Sequence, residues 1–69
     1  MENKKEICKA LVPVLQLTRN LYDLVDLDYV KTERDEIVIA RFVNGATKNA
    51  NVHLDSGTAM IMDIIRQIV

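Results

Sequence analysis

Cys8 and His53 are the only thiol and the only imidazole in the chain, so any nucleophile–base pair of those types would have to be built from them. They belong to different segments, and no spacing brings them together. A cysteine at a semi-apolar helical position is usually a small core side chain. A histidine in a polar alternating stretch beside Asn49 and Asn51 is usually a solvated strand residue. Ser56-Gly57 lacks the Gly-x-Ser-x-Gly frame of a nucleophile elbow, so Ser56 reads as a helix cap. Gly45 and Gly57 stand too far apart to make a phosphate-cradling loop. Asp23, Asp26, Asp28, Glu33, Asp35 and Glu36 are oxygen donors of the kind that hold Mg²⁺ or Ca²⁺, but they lack calcium-loop spacing, and acids near strand ends are mostly solvating. There is no cysteine–histidine cluster for zinc. The sequence predicts no catalytic residues, no metal and no cofactor.

Length and composition bound what can carry these residues. A chain of 69 residues makes one domain, residues 1–69, with no room for a second core. So short a domain buries a modest share of its unfolded surface and has a thin stability margin. A single cysteine excludes an internal disulfide, which leaves close packing or self-association as reinforcement. Apolar residues at 49% against 28% charged describe a folded domain rather than a disordered one. The net charge of −1 argues against a polyanion held by bulk charge, while leaving room for a local basic patch. No apolar run approaches the roughly 20 residues that span a bilayer. Met1-Glu2-Asn3-Lys4-Lys5 has some of the charge of a signal-peptide start, but Glu6 and Lys9 interrupt the apolar stretch that would have to follow. The expectation is a cytoplasmic protein without membrane contact.

Asn3 to about Tyr22 reads as a first helix. Asn3 and Glu6 stand at capping-box spacing. Ile7, Leu11, Val14, Leu15, Leu21 and Tyr22 recur at helical spacing, with Lys4, Lys5, Lys9, Gln16 and Arg19 largely elsewhere. Pro13 removes the bond to the Lys9 carbonyl, so a kink or break is expected near Val12. Leu27 to Glu33 forms a first strand, Arg34-Asp35 a turn, and Glu36 to Val43 a second strand rich in β-branched residues. Asn44-Gly45 is a strong hairpin signal. Thr47 to Leu54 then alternates, with Lys48, Ala50, Val52 and Leu54 on one side and Thr47, Asn49, Asn51 and His53 on the other. Asp55 or Ser56 caps a last helix whose inward stripe is Ile61, Ile64, Ile65 and Ile68, widened by Met60, Met62 and Val69. The fold class expected is α+β, in the order α-β-β-β-α. It has a three-stranded antiparallel sheet and both helices packed on one face.

The hairpin turn decides which side chains face those helices. A two-residue turn at Asn44-Gly45 pairs Arg41 with Lys48 and sets Val38, Ala40 and Phe42 against Asn51, Asn49 and Thr47. A three-residue turn with Gly45 in the left-handed position of a bulge pairs Phe42 with Ala46 and Val38 with Ala50. Cross-strand pairs contribute roughly 0.2–1 kcal/mol each, so the apolar matches favour the bulged turn. The opposite face then presents Ile37, Ile39, Arg41, Val43, Thr47, Asn49, Asn51 and His53. An apolar strip on the face away from the helices is either ordinary β-branched strand composition or a contact surface.

The helix–strand–strand–strand–helix order resembles a double-stranded RNA-binding domain. That resemblance implies contacts from the first helix, an inter-strand loop and a lysine-rich start of the second helix. Here that start is Asp55-Ser56-Gly57-Thr58-Ala59-Met60, without lysine, and the turn at Asn44-Gly45 is short for a probing loop. The residues from Phe42 to Ile65 also resemble small uncharacterised proteins of phages and integrative mobile elements of Gram-positive bacteria. The matching stretches are Asn44-Gly45, Asn51-Val52 and Asp55 to Ile61. That resemblance implies no activity.

The function expected is a non-catalytic protein-interaction or accessory module. Its interaction face would be Ile37, Ile39, Arg41, Val43, Asn49, Asn51 and His53, and its partner another protein or a second copy in a homodimer. The alternative is a nucleic-acid-binding module reading its target with the same sheet face, where Arg41 lies beside Asn49, Asn51 and His53, and Lys31, Arg34 and Lys48 lie nearby. Against it stand the acidic total and the scarcity of aromatics for base stacking. A nucleic-acid mimic built on the acids from Asp23 to Glu36 ranks last.

Overall fold

Asn3 starts the first helix, α1 (Lys4–Leu15), in the computed structural model, which describes residues 3–53 and 56–68. Its side-chain oxygen accepts the Glu6 N–H at 3.2 Å, satisfying one of the amides that a helix start leaves unpaired. Pro13 does not break the helix at Val12. It sits in the final turn, where only the carbonyl of exposed Lys9 loses its partner, and the Gln16 N–H still reaches Val12 O at 3.0 Å. The helix ends at Leu15, well before Tyr22, because Thr18 satisfies the Leu15 carbonyl from both its N–H (2.9 Å) and its hydroxyl (2.7 Å). The turns that follow bury Leu21 and leave Tyr22 in solvent, and Val14 within α1 is exposed as well, against the expected stripe.

The sheet is a meander of β1 (Leu24–Lys31), β2 (Glu36–Phe42) and β3 (Thr47–Asn51), antiparallel and in the order β1-β2-β3. β1 begins three residues earlier than Leu27, since Asp26 and Asp28 sit opposite Arg41 and Ile39 and are paired across the sheet by Arg41. A bulge at Val25 lets Leu24 face Phe42 while Asp26 faces Arg41. In the β2–β3 hairpin Val38 faces Ala50 and Ala40 faces Lys48, the register of the bulged turn. Gly45 adopts φ +86°, a left-handed conformation that glycine takes without steric cost, and Phe42 N–H bonds Ala46 O at 3.0 Å. The chain leaves the sheet after Asn51.

The last helix, α2 (Gly57–Ile68), is capped by Ser56, whose Oγ accepts the Ala59 N–H at 3.2 Å. The expected roles of Leu54, Asp55 and Val69 lie outside the described residues. Its buried stripe is Met60, Ile64 and Ile68; Ile65 and Met62 are exposed, so methionine rather than Ile61 and Ile65 does the inward packing. Cys8 and Leu15 of α1 join this stripe over Leu27, Val38, Ala40, Phe42, Ala50 and Val52 in one apolar cluster. Both helices therefore cover the same face of the sheet, and the fold is α+β as expected.

Candidate protein-interaction face

Because both helices lie on one face, the other face of the sheet is uncovered by any described element. The alternation that turns Val38, Ala40 and Phe42 inward turns Ile37, Ile39, Arg41 and Val43 outward. Ile37 and Ile39 are only half-exposed, sheltered by their strand neighbours, whereas Val43 at the hairpin end is 75% exposed. Register brings Asn49 beside Ile39 and Asn51 beside Ile37, with Asp28 and Val30 on the other flank. Six of the seven residues named for this face therefore share it.

Arg41 stands between two acids. One guanidinium nitrogen lies 3.1 Å from Asp26 Oδ1 and the other 3.2 Å from Asp28 Oδ2. The hydrogen bonds Arg41 donates to these carboxylates raise its already high pKa further. Its charge is matched within the face by two carboxylates. Lys48 projects on the core side, the side on which alternation sets it with Ala50 and Val52, its Nζ 3.3 Å from the carbonyl of Ile68 and 6.0 Å from the Phe42 ring.

His53 is the residue that departs. Past the end of β3 its Nδ1 comes 3.8 Å from Glu36 Oε2, at the end of the sheet away from the Gly45 hairpin. There the sequence holds an arrangement that spacing did not reveal. Glu36 is buried, and its Oε1 accepts from Lys4 Nζ at 2.8 Å and from the Tyr29 hydroxyl. Lys4 belongs to α1, Tyr29 to β1, Glu36 to β2, and His53 follows β3, so one carboxylate ties four segments together. One sign was available: alternation puts Glu36 on the same side as Val38, Ala40 and Phe42, where an acid must find partners.

The chemistry of this cluster is that of a clamp. Burial, then the hydrogen bond to Glu36, pushes the Tyr29 phenol up to about 12. Burial, with Asp28 adding to it, pushes the Cys8 thiol up to about 11. Both stay protonated at neutral pH, and a protonated buried thiol is a poor nucleophile. Among the described residues no group of histidine, cysteine and acidic side chains is placed to hold a metal ion, and no helix is long and apolar enough to cross a membrane.

Compared with protein-family models, with curated proteins and with solved structures, the chain matches none.

Proposed function

We propose that this chain is a non-catalytic interaction module that docks a protein on the open face of its sheet. The observation that carries the reading is the one-sided placement of the helices, which leaves Ile37, Ile39 and exposed Val43 on a strand face with no cover among the described residues. An apolar strip rimmed by Asn49, Asn51 and the Arg41–aspartate group has the composition of an interface centre with a polar edge. The reading as a nucleic-acid binder is weaker, because Arg41, its main residue, is neutralised by Asp26 and Asp28.

The double variant Ile37→Lys, Ile39→Lys tests the proposal. Both side chains are half-exposed, so lysine can direct its charge to solvent while its stem stays on the sheet. Light scattering over a range of concentrations and affinity capture from host extract should both change, with circular dichroism showing the fold retained. A folded variant with the same oligomeric state and the same captured proteins would sink the reading.

A further inference from the structure

The two edges of the sheet are closed at different places, and what stays open can be worked out from the hairpin. Phe42 donates to Ala46 O (3.0 Å) and Glu36 O accepts from Val52 N–H (2.9 Å), so alternate residues from Glu36 to Phe42 turn their backbone groups toward β3. Ile37, Ile39 and Arg41 then turn theirs toward Val30, Asp28 and Asp26 of β1. It follows that Leu24, Leu27, Tyr29 and Lys31 of β1 and Thr47, Asn49 and Asn51 of β3 direct N–H and C=O away from the sheet. At Asn51 the gap is filled by a side chain: the Gln67 amide accepts from the Asn51 N–H at 3.2 Å and donates to its carbonyl at 3.3 Å. At Leu24, Gln16 Nε2 donates to the carbonyl at 2.7 Å and the N–H bonds Leu21 O at 3.0 Å. At Leu27 and Tyr29 the outward backbone groups bond to no described residue.

Beside that open stretch lies a groove of about 250 Å³ between α1 and β1, lined by Lys5, Glu6, Lys9, Leu27, Asp28 and Tyr29. Lys5 and Lys9 stand one helical turn apart on its helix wall and make no ion pair among the described residues. On the open-face side of the strand are the half-exposed carboxylates of Asp26 and Asp28, the latter also reaching the groove; the two acids share the single cation of Arg41 and keep one net negative charge. We propose that the β1 edge at Leu27–Tyr29 takes an extended peptide as a fourth strand. Its side chains would alternate, acidic toward Lys5 and Lys9 and basic toward Asp26 and Asp28. Backbone bonds give such strand addition its affinity, and alternate side chains give it specificity. Of the antiparallel self-pairings centred within this stretch, two meet like charge: that on Leu27 sets Asp26 against Asp28, and that on Asp28 sets that residue against itself. Pairing centred on Tyr29 sets Asp28 against Val30 without such a clash and offers no acid for Lys5 and Lys9, so a second copy is an outcome the test must separate.

The site shares Asp26 and Asp28 with the rim of the open face but uses none of Ile37, Ile39 and Val43, so it stands or falls independently of that apolar strip. The test uses two fluorescent octapeptides of identical composition, one alternating glutamate and lysine, the other with the same residues in like-charged pairs. Anisotropy should show the alternating peptide binding at least tenfold more tightly. The variant Lys5→Gln, Lys9→Gln should erase that preference, and Ile37→Lys, Ile39→Lys should leave it intact. Hydrogen exchange should slow at the Leu27 and Tyr29 amides when the alternating peptide is bound. Equal affinities for the two peptides, binding by neither, or unchanged exchange at those amides would each overturn the proposal. So would protection of those amides by dimerisation alone.

Discussion

Glu36 does what its position at the start of a strand does not advertise. A carboxylate facing the core side must be paired or it costs several kcal/mol, and here Lys4, Tyr29 and His53 supply the partners. Removing it leaves a lysine and a phenol without their shared acceptor in a part-buried site. Glu36→Ala is expected to lower unfolding free energy by about 2–3 kcal/mol, read from urea denaturation with unchanged slope. Glu36→Gln should cost less, because the amide oxygen still accepts from Tyr29. A pair of variants with equal, small effects would show that the cluster is solvated decoration. Only the alternation that turns Glu36 inward was legible along the chain; its partners come from remote segments, and no local spacing connects Lys4 to Glu36 or Glu36 to His53.

What the elements owe to local sequence is uneven. Gly45 and the β-branched run of β2 made the hairpin register readable before any coordinates, because a wrong register would have set Phe42 against Thr47. Asn3 and Ser56 announced their helices through side-chain oxygens that pair with amides. The beginning of β1 was hidden, since Asp26 and Asp28 look like loop residues until Arg41 is placed across from them. Likewise the end of α1 depends on the Thr18 hydroxyl rather than on Pro13. The Gln67 amide at Asn51 is the least readable device, for only the packed helix shows that a side chain can stand in for a neighbouring strand. Gln67→Ala is expected to cost about 0.5–1 kcal/mol. It should also speed hydrogen exchange at the Asn51 amide relative to the Ala50 amide, which bonds within the sheet. Unchanged exchange at Asn51 would show that the amide contact carries no protection.

At the scale of the whole molecule, a single apolar cluster draws on both helices and all three strands, so protonation of its buried groups bears on the stability of the entire domain. Cys8 and Tyr29 both have pKa values raised by folding, from 9.0 to about 11 and from 10.0 to about 12. The unfolded chain therefore loses these protons first as pH rises. The stability they contribute is whole below pH 9 and drains away through pH 11 for the thiol and pH 12 for the phenol. Chemical denaturation should show stability flat across neutral pH and falling above pH 9, and Cys8→Ala should remove the first part of that fall while leaving the second. A decline that begins below pH 8 would assign the limb to other groups. The packing also has a consequence in time. α1 lies on β1, β1 on β2, β2 on β3 and β3 on α2, so each element rests chiefly on its immediate predecessor. Short loop closures cost little chain entropy, and structures dominated by near-neighbour contacts assemble quickly. A nascent polypeptide of this design can lay down each piece on the one just made as it leaves the ribosome, with α2 as the closing step.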